Sequence, residues 1–211
     1  FALLEWPENL DISDTPPVDY VPKIRKRFPA DEWARMHEYH AMPENWHEIT
    51  DINELFSFVD GRFKKRVADR RFFRLTSTPL ELGKLSIDLG DKTVVAKLER
   101  PVDRRKHGWN VEPIPPITVS PIGFESANTK YHFVWLMRNG HLEFWTEIDD
   151  SFCWMQDEAE LARRPRFYPY AVTEYPVSFL RLARDLYRHL GVYERIYWRM
   201  MYYNIEGCYM S

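Results

Sequence analysis

A chain of 211 residues with 45% hydrophobic and 29% charged residues is long and apolar enough to bury one ordinary core. Eight Gly against fifteen Pro, with 16% aromatic residues, exclude collagen-like repeats, low-complexity disorder and a disulfide scaffold. A formal net charge of −3 and a pI near 6.2 exclude a generally basic nucleic-acid binder, so any such role has to be local.

Cys153 and Cys208 are too few and too far apart for a zinc cluster and read as reduced thiols. No apolar run reaches the roughly 18 to 20 residues that span a bilayer, and no basic segment leads into an apolar one, so a cytoplasmic protein is expected. The chain opens at Phe1 and closes at Ser211, soon after an aromatic stretch that looks structural, which reads as a segment of a larger polypeptide.

Residues 1–28 form the first unit. Their opening part holds Glu5, Glu8, Asp11, Asp14 and Asp19 with Pro7, Pro16, Pro17 and Pro22, and reads as an extended acidic arm or linker. Residues 29–211 read as a single α+β domain, helical over 29–78 and built of a sheet and a C-terminal helix over 79–211. Pro29 and Asp31 open a helix to about Met42, with Trp33, Met36, His37 and His40 on one face. A second helix starts near Thr50 or Asp51 and carries Ile52, Leu55, Phe56, Val59 and Phe63. The short link Pro43 to His47 makes the two an N-terminal helical hairpin.

Beyond Pro79 the pattern alternates. Lys84–Leu89 and Thr93–Leu98 are β-favouring runs around Gly90 and Asp91 and predict a hairpin. Pro113–Pro121 predicts an edge strand. Tyr131–Met137 and Leu142–Glu147, joined through Asn139-Gly140, predict a second hairpin. With a two-residue loop, Trp135 faces Phe144, Val134 faces Trp145, Leu136 faces Glu143 and His132 faces Glu147; Tyr131, Phe133, Trp135, Met137, Leu142 and Phe144 then share a core face. A short helix is expected over Gln156–Arg163. A longer one starts at Pro176, carries Val177, Leu180, Ala183, Leu186, Tyr187 and Leu190, and stops at Gly191; a final strand follows over Glu194–Tyr203.

The chemical motifs are incomplete. His37 and His40 are three apart, not the four of a zinc-protease helix, and histidines bordering an apolar stripe more often fill a helix interface. Asp88 and Lys97 suit a metal-dependent nuclease, yet the acidic position two before Lys97 is Val95. His132 opposite Glu147 is an acid/base pair on paper and a surface cross-strand pair by default. No G-x-S-x-G elbow, P-loop or dinucleotide fingerprint occurs, and no cofactor or resident metal is expected.

Charge segregation is more informative. Arg62, Lys64, Lys65, Arg66, Arg70, Arg71 and Arg74 face Asp69 alone, and Arg104, Arg105 and Lys106 precede Trp109. Glu143 to Glu160 carries seven acidic residues and no Lys or Arg. Beyond Lys130 every basic residue bar His is Arg, which binds phosphates and carboxylates bidentately and stacks on rings. With Trp109, Phe167, Tyr168 and Tyr170 as stacking faces, these groups predict a surface for nucleic acid or an acidic protein. The competing reading pairs them internally with the acidic segments.

Arg104-Arg105-Lys106-His107-Gly108-Trp109-Asn110 and Arg138-Asn139-Gly140-His141-Leu142-Glu143-Phe144 resemble the C-terminal accessory regions of bacterial proteins with an AlbA-like, Schlafen-related domain. The resemblance implies a nucleic-acid-associated, defence-related setting and transfers no functional residue. The expectation is therefore a non-catalytic accessory module of a larger prokaryotic protein, presenting a basic and aromatic surface to nucleic acid, a protein partner or another domain of the same polypeptide. Two alternatives are a nuclease or other hydrolase with metal ligands drawn from His37, His40, Asp88 and Glu143, and an oligomerisation module built on the aromatic end Tyr197–Tyr203.

Overall fold

The computed structural model describes residues 17–39, 49, 51–82, 85–101, 108–113, 115–120, 122–126, 132–148, 152–153, 157–193 and 195–210. It shows an α+β architecture. In chain order the elements are α1 (Pro17–Arg25), α2 (Ala30–Tyr39), α3 (Ile52–Val67), β1 (Phe72–Pro79), α4 (Lys92–Glu99), β2 (Thr118–Ser120), β3 (Gly123–Glu125), β4 (Phe133–Met137), β5 (Leu142–Glu147), α5 (Glu158–Arg163), β6 (Arg166–Phe167), α6 (Pro169–His189), β7 (Ile196–Tyr203) and β8 (Tyr209–Met210). Six strands form an antiparallel sheet in the order β2-β3-β4-β5-β1-β7, and β6 pairs with β8 in a small parallel ladder.

The sheet is covered on both faces. Leu55, Val59, Phe63 and Val67 of α3 bury against Phe72, Phe133, Trp135, Met137 and Trp145. On the opposite face, Ala171, Tyr175, Phe179, Leu182, Ala183 and Leu186 of α6, with Val94 and Leu98 of α4, pack on Phe73, Leu75, Val134, Leu136, Leu142 and Phe144. Successive residues of a strand point to opposite faces, so β1 feeds both clusters and is buried along its whole length.

Several expectations change. Within the predicted acidic arm, Pro17–Arg25 is helical, and its Tyr20 and Val21 bury with Trp33. Tyr20 accepts a hydrogen bond from Arg138 Nη1 at 2.9 Å, which ties this helix to the β4–β5 loop. The expected division at residue 78 dissolves, because Phe72–Pro79 is an interior strand and not the end of a helical part.

In place of the hairpin expected over 84–98, the described residues 85–98 form a turn followed by helix α4. The Asp91 carboxylate accepts the N–H groups of Thr93 and Val94 at 2.8 and 3.3 Å, an N-cap that outweighs the β-favouring Thr93, Val94 and Val95. Helix α6 starts at Pro169, so Pro176 lies inside it. The link between α2 and α3 is outside the described residues, as are the side chains of His37 and His40.

The β4–β5 hairpin forms with a register one residue away from the expected one. Gly140, at φ +83°, donates its N–H to Met137 O, and Met137 N–H bonds His141 O; the loop therefore has three residues, with glycine at the left-handed position. Phe133 now faces Trp145, Val134 faces Phe144 and Trp135 faces Glu143. This slip sends Leu142 and Phe144 to the α6 side and His141 and Glu143 to the α3 side. His132 stacks on Phe144 at 5.7 Å, while Glu147 bonds Arg70. The β2 and β7 expectations hold: Thr118–Ser120 is an edge strand, and Ile196–Tyr203 pairs with β1 along its length.

Candidate interaction surface

The basic run does not face solvent as a unit. Arg62 is almost fully buried; its Nη2 lies 2.6 Å from Glu125 Oε1 and its guanidinium sits 3.8 Å above the Trp135 ring. Arg66 shares Glu125 at 3.5 Å, and Arg70 bonds Glu147 at 3.0 Å. Arg74 is completely buried, with Nη1 at 2.6 Å from Asp60 and Nη2 at 2.7 Å from Glu143. Arg71 is half-buried. Lys64 and Lys65 are exposed and take part in no ion pair among the described residues. Arg104, Arg105 and Lys106 lie outside the described residues.

The physical reason is geometric. Arg62 and Arg66 fall on the side of α3 that meets the sheet, and Arg74 sits in β1 on the same face. A buried guanidinium must find carboxylates, and Glu125, Glu143 and Asp60 supply them.

Beneath α3 these residues continue into a polar network. Asp60 also holds Arg199 of β7, at 3.1 and 2.9 Å. Thr78 Oγ1 and His141 Nδ1 share a hydrogen bond of 2.8 Å, and His141 Nε2 faces Glu143 Oε2 at 3.7 Å, too long for a hydrogen bond. Burial pushes the Glu143 carboxyl up, but the Arg74 charge outweighs it and leaves it at about 2. Burial pushes the His141 imidazole down, and Glu143 offsets this only in part. Glu143 is thus the anion of an ion pair and His141 a neutral ring. Thr78, His141 and Glu143 have the order of a nucleophile, base and orienting acid, yet all three side chains are sealed, leaving no space for a substrate.

Of the hydrolase ligand set, Asp88 and Glu143 are engaged elsewhere, while the side chains of His37 and His40 lie outside the described residues. Asp88 accepts the Gly90 N–H in a turn, Lys97 pairs with Asp185 at 2.8 Å on helices, and Glu143 holds Arg74. Among the described residues no group of His, Cys, Asp or Glu is arranged to hold a metal ion. The chain matches no known protein family, no curated protein and no solved structure. Among the described residues no helix is long and apolar enough to cross a membrane.

Two surface features remain. Trp109 and Tyr168 lie 5.2 Å apart and Tyr168 and Tyr170 5.4 Å apart, a short aromatic ladder. It borders an open groove of about 310 Å³ lined by Pro169, Tyr170, Thr173, Glu174 and Val177. Trp109 donates its backbone N–H to Glu174 at 3.0 Å, so a carboxylate stands at the head of the ladder.

The second feature is the outer edge of β7. Leu80 N–H donates to Arg195 O, which sets the phase of the β1–β7 ladder. In an antiparallel pair the backbone groups of alternate residues turn to opposite sides, so those of Ile196, Trp198, Met200 and Tyr202 point away from β1. Among the described residues no strand pairs with that side. Its side chains are apolar and open: Ile196, Tyr197, Trp198 and Met200 are 40 to 45% exposed. The single charge in β7, Arg199, is turned inward to Asp60.

The other end of the sheet contrasts. Edge strand β2 has only three residues, with Pro113, Pro115, Pro116 and Pro121 close by in sequence. Short length and proline are the usual devices that stop a sheet from recruiting strands, and β7 has neither.

Proposed function

We propose that the chain is a non-catalytic interaction module that accepts a further β-strand along β7. The observation that carries this reading is the eight-residue apolar edge strand with outward backbone groups, on a sheet whose other edge is short and flanked by prolines. Main-chain hydrogen bonds to the four outward residues would supply affinity, and Ile196, Trp198 and Met200 the apolar cover. Amide exchange, followed residue by residue in dilute monomeric protein, tests it. The amides of Trp198, Met200 and Tyr202 are expected to exchange fast while those of Tyr197, Arg199 and Met201 are slow. Equal protection of both sets would mean that the outer side is already covered, and would remove the proposal.

A second reading keeps an anionic partner, and the aromatic ladder favours it. Trp109, Tyr168 and Tyr170 offer stacking faces, with Arg104, Arg105 and Lys106 shortly before Trp109 in sequence and Lys64 and Lys65 exposed elsewhere. A salt titration with single-stranded and duplex oligonucleotides checks this: absence of binding at low salt removes it. In both readings the chain acts as part of a larger cytoplasmic protein of prokaryotic type, a proposal supported by the sequence resemblance alone. The second of the two stretches behind that resemblance is largely interior, since Arg138, His141, Glu143 and Phe144 are buried around the β4–β5 turn.

A further inference from the structure

Resting on the open-edge reading, we infer that the occupant of the β7 edge is a second copy of this chain, its β7 running antiparallel to the first about a twofold axis through Met200. Residues directly opposite in a ladder share a face, and a twofold axis perpendicular to the sheet pairs each residue with one of the same parity. Only a few self-pairings of β7 meet this condition. Centring on Arg199 sets two guanidinium-bearing residues directly opposite each other in a half-buried row, which is unfavourable. Centring on Met201 leaves only residues 199–203 paired. Centring on Met200 pairs 197–203, the longest register free of like charges.

That register is also chemically matched. Trp198 meets Tyr202, Tyr197 meets Tyr203, Arg199 meets Met201, and Met200 meets its own copy. Aromatic and methionine pairs across a ladder are favourable, and every cross-strand partner is apolar or already satisfied. Arg199 keeps both bonds to Asp60 and makes no demand for an acidic partner. The strand thus carries what an occupant of this edge must bring: no charge that needs a counter-ion, and large apolar side chains to cover Trp198 and Met200, which are 44 and 43% exposed.

Sedimentation equilibrium over a wide concentration range tests the inference. The expected result is a species of twice the 25.4 kDa chain mass at high concentration, together with new protection of the outward amides. Met200→Pro removes the central outward N–H without touching the ladder to β1, and is expected to weaken dimerisation at least about tenfold. Should that variant fold poorly, Trp198→Glu places a charge on the open edge and is expected to do the same. Register is read by disulfide trapping in a Cys208→Ser background: Met200→Cys should cross-link to its own copy under mild oxidation, and Trp198→Cys should not. A chain that stays monomeric at high concentration would overturn the second copy as occupant, while alternating amide exchange would leave the open-edge reading standing. A dimer that cross-links through Trp198→Cys and not through Met200→Cys would overturn the register.

Discussion

Arg74 Nη2 lies 2.7 Å from Glu143 Oε2, with both side chains enclosed between α3 and the sheet. The buried Glu143 charge depends on Arg74, which Asp60 holds as well. Arg74→Met is therefore expected to destabilise the fold by about 3–5 kcal/mol, since it leaves Glu143 buried without its counter-ion. The pair Arg74→Met with Glu143→Leu should recover much of that loss. Urea unfolding of the two single variants and the double variant measures the coupling.

Acid should weaken the fold in two stages. His141 has its pKa below the ordinary imidazole value, so the unfolded chain takes up a proton near pH 6.5 that the folded chain refuses. Stability is complete above that pH and falls as pH drops below it. Glu143 sits at about 2 against an ordinary 4.5, so its contribution is present above pH 4.5 and lost as pH falls towards 2. The urea midpoint measured from pH 8 to pH 3 should show both declines. In His141→Gln the first should be flattened and the second retained.

Asp91 caps α4 and also accepts a bond from His189 at 2.7 Å. Asp91→Ala should cost about 1 kcal/mol through the lost cap, with Asp91→Asn largely restoring it. Thermal melts of the two variants check the order.

Gly140 combines a left-handed backbone with close walls: a Cβ there would come within 2.5 Å of Leu85 Cδ2 and 3.0 Å of Pro79 Cγ. Gly140→Ala is expected to destabilise by about 1–3 kcal/mol, more than the usual entropic gain of alanine can offset. Calorimetry gives the difference directly.

The basic residues should separate into two classes. Lys64→Ala with Lys65→Ala is expected to change stability by no more than about 0.5 kcal/mol and to weaken any low-salt oligonucleotide binding. Arg62→Ala should cost about 2–3 kcal/mol, because it removes both the bond to Glu125 and the cover over Trp135. Chemical denaturation and the salt titration read the two effects separately.

Much of the architecture was legible where side-chain period and turn chemistry agreed. The stripe Leu55, Val59 and Phe63 marks α3, and the alternating large residues of Ile196–Tyr203 mark β7. Strand β1 was not legible, because Arg74, Thr76 and Thr78 alternate with Leu75 and Ser77 and resemble a solvated surface. Their burial depends on Asp60, Glu143 and His141, which lie elsewhere in the chain. The same partners hid the fate of the basic run: a local count of charges cannot show that Glu125 and Glu147 will stand beside Arg62 and Arg70. The hairpin register turned on one extra loop residue, and Asn-Gly fits both loop lengths. The open edge was visible as an aromatic end, but its outward backbone becomes apparent only when β1 is known to occupy the other side.

Asp60 grips Arg74 and Arg199 at once, one from the interior of the sheet and one from its border. That single carboxylate works as a clasp: peeling β7 away strands a cation and loosens the helix that carries the clasp. Melting is thereby made collective, with the first long helix and the last long strand leaving together.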